Sequence, residues 1–151
     1  SAASDVYKRQ DEGFILELRQ FKADLFIVVA FKFLPKKIWE IPFGEYENLT
    51  KQGIPITGTY NFGGVTGTAG GVLFATGTLD KKIIAVDSSN GNELWNYELP
   101  FSGSNPPTIF EHLGEQYIIV QSTGSYSLSQ GYPEKNRFGD AIVAFKLKKK
   151  N

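Results

Sequence analysis

The sequence predicts an all-β chain built from repeated sheet units, and three observations carry that expectation. The composition is that of a packed, turn-rich chain, with 41% hydrophobic and 14% aromatic residues, sixteen Gly and seven Pro among 151 residues, too apolar for disorder. A segment recurs: residues 28–43 (VVAFKFLPKKIWEIPF), 83–101 (IIAVDSSNGNELWNYELPF) and 142–147 (IVAFKL) share an apolar-Ala-apolar core. Ala30, Ala85 and Ala144 are spaced by 55 and 59 positions, and Trp39 and Trp95 by 56, a period of repeated supersecondary units. Between Ala85 and Trp95 stands Asn90-Gly91, flanked by alternating strands, the strongest short-range hairpin signal. The period points to propeller blades, small sheets arranged around a central channel.

Taken in order, residues 1–10 (SAASDVYKRQ) carry neither hydrophobic period nor capping logic. They resemble the in-frame translation of a transposase sequencing adapter, TCGGCAGCGTCAGATGTGTATAAGAGACAG, so the natural sequence is expected to begin near Asp11, inside a longer gene; a disordered natural terminus is the other reading. Residues 12–22 (EGFILELRQFK) place Phe14, Ile15, Leu18 and Phe21 at helical spacing and read as a short helix or as a damaged strand. Residues 11–27 are accordingly expected to be a damaged or irregular blade segment, and 28–151 the C-terminal blades. The apolar run 25–31 (LFIVVAF) is far shorter than the 18 or so residues of a membrane span. Short β-rich runs follow at 72–76, 82–87, 93–99, 107–111, 116–122 and 141–147, separated by Gly, Pro, Asn or Ser. About 140 residues at this period make two to three blades, an arc whose end faces lack neighbours and which is expected to be marginal or aggregation-prone by itself.

Sixteen Lys and Arg balance sixteen Asp and Glu, so no basic field favours nucleic acid or anionic lipid. The chain has no Cys, no Met and one histidine, which excludes thiolate chemistry and sites built on several imidazoles. That histidine, His112, precedes the turn residues Leu113-Gly114 and reads as an exposed turn side chain. The glycine-rich stretch 63–71 is followed by no Gly-Lys-Ser/Thr and by a strand, which argues against phosphate cradling. Trp39 and Trp95 suit packing between blades better than cofactor stacking. Asp80, Asp87 and Asp140 lie at strand ends or turns, where Asp satisfies backbone donors. The sequon Asn48-Leu49-Thr50 matters only in a eukaryotic secretory route, and the cationic tail 146–150 reads as a solvated terminus.

Residues 53–78 (GIPITGTYNFGGVTGTAGGVLFATGT), 85–95 (AVDSSNGNELW), Leu99-Pro100, 116–120 (QYIIV) and 139–145 (GDAIVAF) together resemble the C-terminal blades of pyrroloquinoline-quinone (PQQ)-dependent alcohol and sugar dehydrogenases, most closely the membrane-type glucose and polyol branch. Phe33-Leu34-Pro35, residues 101–105 and the polar insert 125–137 depart from the family pattern and bear on loop geometry and substrate preference. The resemblance implies the last two to three blades of an eight-bladed propeller whose central pocket holds PQQ beside Ca²⁺. It implies a sugar, polyol or related alcohol as substrate, membrane ubiquinone as acceptor, and a bacterial periplasmic or periplasm-facing location.

Of the family's cofactor contacts, the resemblance carries over Asn61, Phe62, Gly63 and Gly64. An amide offers a donor and an acceptor to a ligand bearing carbonyl and carboxylate oxygens. An aromatic ring closes a pocket against a planar ligand, and the glycines let backbone approach the ligand or turn with positive φ. The alternative for these four residues is a plain turn before the strand at Val72. The catalytic base and the calcium ligands lie upstream in the family, among the missing N-terminal blades, so no catalytic or metal residue is expected here and the fragment is expected to be inactive. A non-catalytic propeller, using the same Trp-ended repeats as a scaffold for protein contacts, accounts for the repeats but not for Asn61 and its glycines.

Overall fold

The computed structural model describes residues 14–21, 25–32, 36–124 and 138–147. Among them the chain forms β1 (Phe14–Phe21), β2 (Leu25–Lys32), β3 (Lys36–Pro42), a one-turn helix α1 (Glu47–Thr50), β4 (Asn61–Gly67), β5 (Val72–Thr78), β6 (Lys82–Asp87), β7 (Glu93–Glu98), β8 (Thr108–His112), β9 (Glu115–Ser122) and β10 (Ala141–Lys146). They make three antiparallel sheets, ordered β1-β2-β3, β4-β5-β6-β7 and β10-β9-β8. The alanine repeat aligns them, since Ala30, Ala85 and Ala144 sit in β2, β6 and β10. The middle sheet is therefore a full four-stranded blade. The first sheet holds counterparts of its β5, β6 and β7, and the third holds counterparts of its β4, β5 and β6.

The predicted strands appear within a residue or two of their expected limits, with two differences and one choice between alternatives. Of the helix and the strand offered for residues 12–22, the strand forms: β1 pairs with β2 along its length, from Phe14 opposite Lys32 to Phe21 opposite Leu25. The β-branched run of β2 leaves an edge whose backbone groups need a partner, and that demand overrides the local spacing. The glycine-rich stretch after Tyr60 is the strand β4, not a turn. Helix α1 carries the sequon Asn48-Leu49-Thr50 in the connection from the first sheet to the second. The adapter-like residues 1–10, the Phe33-Leu34-Pro35 departure, the insert 125–137 and the tail beyond Leu147 lie outside the described residues.

The middle sheet is covered on both faces, which explains why β5 is buried at six of its seven positions instead of alternating. Strand alternation divides its side chains. Leu73, Ala75, Ile84 and Val86 face the first sheet and pack with Trp39 and Phe43, Ile41 and Val65 lying against them. Phe74, Ile83, Ala85 and Leu99 face the third sheet and pack with Ile118 and Val120. Each buried Ile, Leu, Val or Phe contributes roughly 1.5–3 kcal/mol, so the two interfaces, and not any single sheet, hold the fold together.

Both tryptophans pack between sheets, as expected, though unequally. The Trp39 indole N–H donates to the Ser88 carbonyl at 2.8 Å. Its ring lies over Gly91, where an added Cβ would approach to 2.8 Å, so the Asn-Gly turn of one blade seats the tryptophan of the blade before it. Trp95 reaches across to Phe145 of β10 edge-on, centroids 5.1 Å apart, but stays 39% exposed.

A set of buried hydroxyls ties the connections to the strand ends. Thr59 accepts the Leu79 N–H at 3.1 Å, Ser102 donates to the Thr78 carbonyl at 2.8 Å, and Ser122 donates to the Phe101 carbonyl at 2.6 Å while accepting the Phe101 N–H at 2.9 Å. These groups fix where the chain enters and leaves the middle sheet, and hence where β4 begins.

Candidate functional site

Strand β4 opens with the predicted residues, and the geometry gives each a different place. Asn61 pairs with Thr78, and the next partners are Gly64 and Thr76. Three steps on β4 thus match two on β5, and the extra residue makes a bulge over Phe62-Gly63. Neither Gly63 nor Gly64 takes a positive φ, contrary to one of the two uses expected of them. The close approach they allow in the structure is to the protein itself: a Cβ on Gly63 would collide with the Thr76 carbonyl, and one on Gly64 with the Pro106 ring. Phe62 is 46% exposed, a ring not held by packing. Asn61 is held, because its Oδ1 accepts the Gly63 N–H at 3.0 Å. Its Nδ2 is enclosed and has no partner, the one such side-chain atom among the described residues, and a buried donor left unmet costs about 1–3 kcal/mol.

A second polar feature was not legible in sequence spacing. A cleft of about 800 Å³ lies where α1 meets the β5–β6 turn, lined by residues including Glu45, Thr50, Asp80 and Lys82, and none of Asn61 to Gly64 lines it. Lys82 Nζ stands 3.0 Å from Glu45 and 4.0 Å from Asp80, bringing two carboxylates distant in sequence to one ammonium. Asp80 also accepts from the Thr78 hydroxyl and from the Lys82 N–H at 3.4 Å, the backbone role expected of it. Burial pushes the Asp80 carboxyl up, against the opposing effects of Thr78 and Lys82. The Thr50 hydroxyl, then Lys82, holds Glu45 down.

The two shifts act on stability with opposite signs. The Asp80 contribution is complete below the ordinary carboxylate range and is lost as pH rises through its raised pKa. The Glu45 contribution is complete above that range and is lost as pH falls through its lowered pKa. Asp80→Asn is therefore expected to gain thermal midpoint relative to wild type on going from about pH 4 to about pH 7, and Glu45→Gln to lose it. Parallel profiles for the two variants would contradict the assignment. His112 is exposed at the end of β8, as expected, and among the described residues no group of three or more His, Cys, Asp or Glu is placed to hold a metal ion.

Residues 34–118 match the family model described as PQQ: Glucose/ethanol/alcohol dehydrogenase, beta-propeller domain. The chain belongs to this PQQ-dependent dehydrogenase family. Family relatives include the quinoprotein glucose dehydrogenase of Escherichia coli K12, 38% identical over 85 residues, which are 56% of this chain and 10% of that protein. A probable quinate dehydrogenase (quinone) of Xanthomonas campestris pv. juglandis is 34% identical over 116 residues, 72% of this chain and 14% of that protein. The glycerol dehydrogenase large subunit of Gluconobacter oxydans is 33% identical over 96 residues, 60% and 13% respectively. The chain thus spans about a tenth to a seventh of these relatives. Among solved structures, the quinohemoprotein alcohol dehydrogenase ADHIIG of Pseudomonas putida HK5 superposes with a TM-score of 0.58 at 20% identity, covering 79% of this chain and 16% of that one. The three sheets are blades of a partial β-propeller of this family.

The family implies PQQ, and the residues at the start of β4 fit such a group. The unmet Asn61 Nδ2 offers a donor to a carbonyl or carboxylate oxygen, whereas the space beside Gly63 and Gly64 is filled by Thr76 and Pro106. They do not fit calcium: neither the described carboxylates near Lys82 nor those elsewhere form a cation site.

Proposed function

We propose that this chain is the C-terminal part of a membrane-type quinoprotein dehydrogenase that oxidises a sugar, polyol or related alcohol and passes the electrons to membrane ubiquinone, on the periplasmic side of a bacterial inner membrane. Family membership supports the reaction class, and the observation that carries a binding role for this segment is the enclosed, unpartnered amide nitrogen of Asn61. In this reading Asn61 holds the quinone by hydrogen bonding, Phe62 closes the pocket beside it, and Gly63 and Gly64 bring the strand backbone close to it. When bound, PQQ supplies the two-electron acceptor for the alcohol carbon. The base that takes the hydroxyl proton and the calcium ligands belong to blades outside this sequence, so the 151-residue chain by itself is inactive. Among the described residues no helix is long and apolar enough to cross a membrane.

In the full-length protein, Asn61→Ala is expected to weaken PQQ binding by about 1–3 kcal/mol, roughly five- to 150-fold in Kd, measured by titrating cofactor-free protein with PQQ at fixed calcium. An unchanged Kd removes Asn61 from the site. A full-length protein that binds no quinone returns the chain to the scaffold reading.

A further inference from the structure

We propose that Asn61 meets its ligand solely as a hydrogen-bond donor and that Gly77 is the positioning residue that fixes this polarity, so the ligand atom received here is an oxygen acting as acceptor. The inference rests on the quinone-binding reading above and adds to it the direction of the hydrogen bond.

A backbone N–H is met by an amide oxygen and never by an amide NH₂. The 3.0 Å bond from the Gly63 N–H to Oδ1 therefore determines which way the Asn61 amide is turned. Gly63 is itself pinned from the facing strand. Gly77 has φ +109, and a Cβ there would collide with the nitrogen and Cα of Gly63 and stand 3.1 Å from Asn61 Oδ1. A Cβ on Gly63 would in turn collide with the Thr76 carbonyl. Two facing glycines thus bring the backbones of β4 and β5 closer than side chains permit, and this places the Gly63 N–H beneath the amide oxygen.

With Oδ1 engaged, Nδ2 remains, buried and without a partner. An amide NH₂ has two donors and no lone pair to offer, so a ligand N–H gains nothing from it and a ligand oxygen is received through its lone pair. An acceptor oxygen that displaces what covers Nδ2 recovers the cost of the unmet donor.

The test uses the full-length, cofactor-free protein titrated with PQQ at fixed calcium, the bound quinone being read by its absorbance. Asn61→Ala is expected to weaken binding about tenfold. Asn61→Asp keeps an oxygen for the Gly63 N–H but puts a second, anionic oxygen where the donor was. It is expected to bind at least about tenfold more weakly still at neutral pH, and the extra loss is expected to vanish as pH falls through the carboxyl range, where the protonated group regains an O–H donor. Asn61→Asp binding as well as Asn61→Ala at neutral pH overturns the donor polarity.

Gly77→Ala is expected to weaken binding in the wild-type background and to add nothing in the Asn61→Ala background; additive losses overturn the role of Gly77. Should Asn61→Asp fail to fold, the infrared spectrum of the bound quinone decides. Donation by Asn61 lowers the stretching frequency of a carbonyl or carboxylate band relative to Asn61→Ala, and identical spectra overturn the proposal. A wild type that binds no quinone overturns both this inference and the reading beneath it, whereas the variant outcomes overturn this inference alone.

Discussion

Trp39→Ala is expected to destabilise the full-length protein by about 3–5 kcal/mol, read as a lowered thermal midpoint. The indole is packed among Phe43, Leu73, Ala75, Ile84 and Val86, so truncation opens a cavity in the interface between two sheets, and it also orphans the Ser88 carbonyl. Trp39→Phe separates the two contributions, because it retains a ring while losing the N–H, and its smaller cost reports the hydrogen bond at about 0.5–1.5 kcal/mol plus imperfect filling. A cost for Trp39→Ala below about 1 kcal/mol would mean that the interface closes without its wedge.

The second large effect comes from a side chain with no apolar surface to speak of. Ser122→Ala is expected to cost about 2–3 kcal/mol, since one fully buried hydroxyl serves both the N–H and the carbonyl of Phe101, and two backbone groups lose their partner at once. The neighbouring Ser104, whose half-buried hydroxyl bonds to the Thr123 hydroxyl and, at 3.4 Å, to the Gln121 carbonyl, provides the contrast, with Ser104→Ala expected to cost no more than about 1 kcal/mol. Equal costs for the two serines, by thermal unfolding of the full-length protein, would show that burial of the Phe101 bond contributes nothing.

How much of this was legible in the sequence depended on whether the signal was local. The β6–β7 hairpin was, because Asn90-Gly91 marks the turn and Ile83, Ile84, Ala85 and Val86 mark the strand. Strand β4 was not, because Gly63, Gly64 and Gly67 lower strand propensity and read as loop. What makes β4 a strand is Gly77 on the facing strand, which accepts a close backbone that side chains would refuse. In β1, Phe14, Ile15, Leu18 and Phe21 fit a helical face, and only the neighbouring strand β2 decides otherwise. Asn61 was found through the motif around it. The fate of the two ends of its amide was not, because that depends on a glycine sixteen positions away. The meeting of Glu45 and Asp80 at Lys82 was invisible for the same reason.

The seating of Trp39 has a consequence for how such chains can be recombined. Its side chain belongs to one sheet and its acceptor, Ser88, to the next, so the interlocking unit straddles the boundary between two blades. A chimaera cut between the first and second sheets severs the Trp39 donor from the Ser88 acceptor. A crossover that inherits the tryptophan together with the following turn keeps the lock whole. The module of exchange at this boundary is therefore offset from the visible blade by one strand and one turn.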